Sequence, residues 1–321
     1  MKRWHLILIL VTILAAVGGA AFLLSNRHAP ESPVVRVGYL GITASLPLYI
    51  AEEKGYFTAE GVRIASQQVA TSNQLVDAIV AGNLDVVVET SAVPVLAVEL
   101  QSPGKIKVFA TSDITQEAPF DSVLVKQDSP VTSLRDLANK RIGVFPGSTA
   151  STLLKKHLQD EGIDISNAVF VPTPPQSQLA ALKEGSIDAL HAYEPTTAIA
   201  LVAGGYRQIH GSVYADMLNH NPQGVAIVSS AFLSQHPKEA KATIRALEQG
   251  MMLMRQDAAE ARRILATRMK LDAAVANRSV FLYMEPHTSL DVAVFQQYGT
   301  MLKDVGELPA AVDTHAILYR D

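Results

Sequence analysis

The chain has 321 residues, 48% of them hydrophobic and 18% charged, which is enough apolar mass for a folded protein of about two domains. A formal net charge of -4, no basic stripe and a single Trp argue against a nucleic-acid-binding surface. Cysteine is absent, which excludes disulfides, thiolate nucleophiles, cysteine metal sites and the lipid-modified cysteine of many exported lipoproteins. The nine His are scattered without HExxH or His-x-His spacing, so neither a metal site nor a cofactor is expected.

The N-terminus carries the clearest targeting signal. Met1-Lys2-Arg3 precedes an apolar run from Trp4 to Leu24, interrupted by His5 and Thr12. Two readings stay open. One is a signal peptide cut near Gly18-Gly19-Ala20. The other is a retained anchor with membrane contact through residues 4–24, since roughly 20 apolar residues span a bilayer. Either way the basic end stays inside and the rest is exported to the periplasm. Ser25 to Pro33 is a polar linker.

Val34 to Phe57 predicts a strand, a small-polar loop and an amphipathic helix, with Ser45 as N-cap, Pro47 in the first turn and Gly55 at the end. The same unit recurs. Strands are predicted near 61–64, 84–88 and 106–110, with helices starting at Ser72-Asn73 and Thr90-Ser91. A second run follows, with strands near 122–125, 141–144, 169–171 and 187–190 and a helix after Gly147-Ser148-Thr149. The expected fold class is α/β, two lobes each with a mostly parallel sheet flanked by helices. Strands near 207–209 and 225–228 are expected to return to the first lobe. That gives a first lobe of 34–111 with 207–321, a second of 112–206, and crossovers near Thr111–Asp121 and Gly204–Arg207. From Ser230 the pattern is helical, with Met251, Met252 and Met254 expected in core packing.

The chemistry lies at the strand ends. Thr43 with Ser45, Ser72 with Asn73, Thr90 with Ser91, and Ser148 with Thr149 all fall where a strand gives way to a helix. Ligands of parallel sheets gather there, and helix N-termini offer free N–H groups and a positive dipole end. Simple capping accounts for any one of these loops; recurrence in two lobes points to one polar cleft. Tyr193 would supply an apolar wall. Glu194 would accept from a ligand N–H or act on the dipole of the helix it precedes, and Glu89 would face the cleft or its rim. No GK[ST] ending and no Gly-x-Ser-x-Gly elbow is present, so nucleotide binding and serine hydrolysis have no motif.

The stretches G-Y-L at 38–40 and P-L-Y-I-A-E-E-K-G-Y-F-T-A-E-G-V at 47–62 carry a family resemblance. So do A-I-V-A-G-N-L-D-V at 78–86, L-R-D-L-A-N-K-R-I-G-V at 134–144, L-A-A-L-K-E-G-S-I-D-A at 179–189 and Y-E-P at 193–195. In this order they resemble periplasmic substrate-binding proteins of the nitrate, sulfonate and taurine transport group, which also includes thiamine-pyrimidine-precursor binders. The resemblance implies a type II periplasmic binding fold, a monomer that closes on a small-molecule ligand and delivers it to an ABC permease, with no catalysis. A membrane-anchored ligand sensor is the alternative use of the fold. Relatives that make the thiamine pyrimidine carry a cysteine-rich motif, so that activity is excluded here. The resemblance places the ligand against Leu40, Thr43, Ser45, Ser72, Asn73, Thr90, Ser91, Ser148, Thr149, Tyr193 and Glu194. Glu89 departs from the small or apolar residue expected there, which weighs against a simple oxyanion.

Overall fold

The structure, a computed structural model, describes residues 33–320. The apolar run Trp4–Leu24 and its two readings lie outside the described residues. Among the described residues no helix is long and apolar enough to cross a membrane.

The strands are β1 (Val34–Leu40), β2 (Arg63–Val69), β3 (Val86–Ser91), β4 (Ile106–Ile114), β5 (Asp121–Lys126), β6 (Arg141–Val144), β7 (Val169–Pro172), β8 (Ala189–Tyr193), β9 (Tyr206–His210), β10 (Asn221–Ser229) and β11 (Tyr283–Pro286). Between them lie α1 (Leu46–Glu53), α2 (Tyr56–Ala59), α3 (Ser72–Val80), α4 (Ala92–Gln101), α5 (Ser148–Asp160), α6 (Pro175–Glu184), α7 (Thr196–Ala203) and α8 (Val213–Met217). The C-terminal helices are α9 (Ser230–Gln235), α10 (Pro237–Gln256), α11 (Ala258–Met269), α12 (Ala273–Arg278) and α13 (Val292–Asp304).

Two sheets result. The first has the order β11-β4-β10-β3-β1-β2 and the second β7-β6-β8-β5-β9. In the first, β1 to β4 share one direction and β10 and β11 oppose it. In the second only β5 runs against the others. Position in the sheet explains strand composition. Central β3 is buried along its whole length and reads as a near-continuous apolar run before its polar end. Edge strand β2, RIASQQV, is polar and largely exposed, which keeps its free edge from pairing with other chains.

The two sheets are built on one plan. Arg36 on β1 clamps Asp85 through its backbone N–H at 2.8 Å, Nε at 2.9 Å and Nη2 at 2.5 Å. Arg141 on β6 clamps Asp188 in the same way, at 2.8, 3.1 and 2.8 Å. Two residues beyond each Arg stands a glycine with no room for a side chain. A Cβ on Gly38 would lie 2.5 Å from Leu84 Cδ1, and one on Gly143 2.5 Å from Ile187 Cδ1. The shared signature is R-x-G on one strand and G-x-x-D before its neighbour, at 36–38 with 82–85 and at 141–143 with 185–188.

Two expectations are corrected. The strand at Tyr206–His210 does not return to the first sheet; it pairs antiparallel with β5 at the edge of the second. The return crossover is therefore 211–220, which contains α8, not Gly204–Arg207. Gly204 and Gly205, with φ of 72° and 78°, only reverse the chain between α7 and β9. The outward crossover is 115–120, within the span expected for it. The strand at 225–228 does join the first sheet, as β10 between β3 and β4.

The C-terminal helices cover the first lobe. In α10 the buried positions Ala240, Thr243, Ile244, Leu247, Gly250, Met251 and Met254 recur at helical spacing and form one face. Gly250 lets α10 press on α1, since a Cβ there would sit 2.4 Å from the Pro47 carbonyl oxygen. Met251 and Met254 are core residues, whereas Met252 is 52% exposed and faces outward.

Candidate ligand-binding cleft

The carboxyl ends of β1, β3, β6 and β8 converge where the lobes meet, and one small cavity lies between them. It is lined by Leu40, Ile42, Ser72, Asn73, Glu89, Thr90 and Ser91 from the first lobe and Gln223 from β10. Phe120 from the outward crossover, with Phe145, Pro146, Gly147, Thr149, Ala150 and Tyr193, completes the lining. The lobes touch over it. The Thr43 N–H donates to the Glu194 carbonyl oxygen at 3.4 Å, and a Cβ on Gly147 would come 3.6 Å from Asn73 Oδ1. Gly147 has a φ of 114°, a conformation that disfavours any side chain.

The first lobe contributes hydrogen-bonding groups. Ser91 caps α4, its Oγ accepting from the Val93 N–H at 3.3 Å. That hydroxyl also accepts from Gln223 Nε2 at 3.3 Å, and the Ser91 N–H donates to Ser72 Oγ at 3.0 Å. Thr90 Oγ1 donates to the Ser72 carbonyl at 3.4 Å. The cap of α3 is Thr71, one residue before the expected pair, its Oγ1 accepting from the Gln74 N–H at 3.2 Å. Ser72 and Asn73 thus stand in the first turn, their side chains at the cavity.

Glu89 forms part of the floor. It is 3% exposed, and Ser112 Oγ donates to its Oε2 at 2.5 Å. Burial pushes its carboxyl well above the usual range, and the Ser112 bond offsets this only in part. Gly224 makes the room: a Cβ there would fall 1.8 Å from Glu89 Oε1.

The second lobe contributes rings. Tyr193 stacks between Phe120, with ring centroids 5.6 Å apart, and Phe145, at 5.2 Å. Its hydroxyl is held by Tyr214 at 2.6 Å. Thr149 enters from the first turn of α5 and is buried. No Lys, Arg or His lines the cavity among the described residues.

Of the residues named from sequence, Leu40, Ser72, Asn73, Thr90, Ser91, Thr149 and Tyr193 line this one cavity, and four do not. Ser45 is buried and donates to the Leu40 carbonyl at 2.7 Å, tying the turn back to β1 without capping α1. Thr43 is buried beside the cleft, with its Oγ1 unpartnered among the described residues. Ser148 points to solvent, and its carbonyl accepts from Ser151 Oγ at 2.9 Å. Glu194 turns into the first turn of α7, accepting from the Ala198 N–H at 3.3 Å. Burial pushes its carboxyl up to about 7, against the pull of the Ala198 and Val280 N–H groups. Sequence reasoning missed Phe120, Phe145 and Gln223. Phe145 stood next to the recognised Gly147 loop, but Phe120 and Gln223 reach the cleft only through the crossover and the inserted strand β10.

The NMT1/THI5-like family model matches residues 42–261. A putative aliphatic sulfonates-binding protein of Bacillus subtilis is 24% identical over 280 residues, covering 86% of this chain and 81% of that one. The bicarbonate transport ATP-binding protein CmpC of Synechococcus elongatus is 27% identical over 237 residues, 69% of this chain, and the match spans only 35% of CmpC. Among solved structures, the alkanesulfonate-binding protein SsuA from Xanthomonas axonopodis pv. citri bound to MOPS superposes with a TM-score of 0.74. That match covers 91% of this chain and all of the other, at 20% identity, and speaks to the fold. With the two-lobed α/β architecture and the convergent strand ends already described, the match over residues 42–261 shows that the chain belongs to the NMT1/THI5-like family.

Proposed function

We propose that the chain is the exported, non-enzymatic solute-binding component of an ABC importer, taking a small organic oxyanion of the sulfonate type between its lobes. The observation that carries this reading is the convergence of three helix N-termini, those of α3, α4 and α5, on one cavity. Such termini hold anionic oxygens with N–H groups and dipoles alone, so no lysine or arginine is required. Glu89 fits an anion because its burial favours the protonated form, which donates a hydrogen bond and carries no repelling charge. The Phe120–Tyr193–Phe145 stack supplies a wall for an apolar body, which bare nitrate or bicarbonate lacks.

Size points the same way. The cavity measures about 40 Å³, a few times the roughly 10–15 Å³ that holds one water, which favours a small ligand. For catalysis Glu89 is the one carboxylate among the lining residues, and Glu194 is engaged with α7. The relatives' names support delivery to a membrane permease. A ligand that binds only the folded state raises the melting temperature. A thermal-shift series with methanesulfonate, ethanesulfonate, taurine, nitrate and bicarbonate is expected to give the largest rise with a short alkanesulfonate. A largest rise with nitrate or bicarbonate, or no rise with any of them, would overturn the reading.

A further inference from the structure

A second cluster of side chains lies at the return crossover and shares no residue with the cleft. His157 sits in the last turn of α5, His210 ends β9, and Asp216 belongs to α8. One ligand atom from each lies within 4.8 Å of the other two. His210 Nε2 is 2.7 Å from Asp216 Oδ2, and His157 Nε2 is 3.6 Å from the same oxygen, beyond hydrogen-bond distance. The His157 side chain is 8% exposed, and its Nε2 is buried with no hydrogen-bond partner among the described residues. A His210–Asp216 pair alone leaves that buried nitrogen unsatisfied, which carries a free-energy cost.

We propose that His157, His210 and Asp216 form a site for a divalent transition-metal ion of the zinc type. Two imidazoles and one carboxylate are a donor set that zinc takes at about 2.0–2.2 Å, with tetrahedral ligand–ligand spacings of about 3.3 Å. The observed separations of 2.7 and 3.6 Å bracket that spacing. Asp216 is already oriented, because Gln116 Nε2 donates to its Oδ1 at 2.7 Å and leaves Oδ2 for the metal. A surface hollow lined by Gln116, Glu161, His157 and Asp216 reaches two of the three ligands. Gln116 lies in the outward crossover and Asp216 in the return one, so a bound metal ties the second lobe's α5 and β9 to both connections between the lobes. The three ligands are 53 and 6 residues apart in sequence, which is why no short motif announces them.

The test is calorimetric titration of the chelator-stripped chain with ZnCl2, and with CoCl2 for its spectrum. One zinc per chain is expected, with the intense visible absorption of four-coordinate Co2+. His210 and Asp216 are the more exposed ligands, so the H210Q/D216N double variant is expected to stay folded by circular dichroism and to lose the zinc. Gln116→Ala, which changes only the orientation of Asp216, is expected to weaken zinc about tenfold. No zinc binding by the unaltered chain, a weak six-coordinate cobalt spectrum, or unchanged binding in the folded double variant would overturn the proposal.

Discussion

The two lobes share a skeleton and differ in what they present to the cleft. Gly38 pairs with Val87 in one sheet and Gly143 with Leu190 in the other, which aligns the strands residue by residue. Counting on from those pairs, Leu40 corresponds to Phe145, Glu89 to Ala192, Thr90 to Tyr193 and Ser91 to Glu194. Each Arg–Asp clamp and close-packed glycine lies earlier along its strand, away from the cleft. The repeated parts therefore hold the sheets, and the strand ends are free to diverge. The first lobe ends in hydroxyls and a buried carboxyl, the second in rings. On the proposed reading, the polar head of a ligand held between them faces the helix N-termini of both lobes, and its apolar body faces the rings of the second.

The aromatic wall is where the comparison breaks with the largest effect. Phe145→Ala removes a buried ring from the stack, and we expect a loss of about 3–5 kcal/mol in urea unfolding. The clamps test the shared skeleton. Asp85 is 10% exposed against 32% for Asp188, so Asp85→Ala should cost about 2–3 kcal/mol and Asp188→Ala about 1 kcal/mol. Equal losses would mean that the two clamps are not graded by burial. Gly224→Ala attacks the polar wall. Its Cβ would overlap Glu89 Oε1 and displace that carboxyl, and we expect about 1–2 kcal/mol of overpacking cost with ligand affinity reduced far more than in a Gly211→Ala control.

The smallest expected effect is one of slope. Glu194 stands where the first lobe has the neutral cap Ser91, and its carboxyl is raised from 4.5 to about 7. The folded state thus holds a proton that the unfolded chain releases between those values, and stability falls as pH rises from 4.5 to 7. Urea midpoints across that range should fall less steeply in Glu194→Gln than in the unaltered chain. An unchanged slope would place the Glu194 titration elsewhere. Ser91→Ala, which removes a cap without a charge, should shift the whole curve and leave its slope alone.

Much of this frame was legible in the residues. The βα rhythm, the strand-end hydroxyls at Ser72, Thr90, Ser91 and Thr149, and the Tyr193 wall all follow from local periodicity and turn chemistry. What escaped depends on long-range pairing. The segment at Tyr206–His210 has no local mark of which sheet it joins, and its pairing with β5 moves the return crossover to 211–220. Gln223 reaches the cleft because β10 inserts between β3 and β4, a choice made by packing. Ser45 and Glu194 had two local readings each, and burial chose the hydrogen bonds to Leu40 and to α7. The His157, His210 and Asp216 cluster was invisible to spacing rules, since three separate elements supply it.

The central claim is that the converging helix N-termini read the head of the ligand and the aromatic stack reads its body. Calorimetric affinities for methanesulfonate, ethanesulfonate and propanesulfonate, measured on the unaltered chain and on Phe145→Ala, test it most directly. Each added CH2 that fits against the rings is expected to tighten binding by about 0.8 kcal/mol, roughly fourfold. In Phe145→Ala that gain should shrink while methanesulfonate keeps most of its affinity. Affinities that do not change with chain length, or a Phe145→Ala loss equal for all three ligands, would contradict the two-ended cleft.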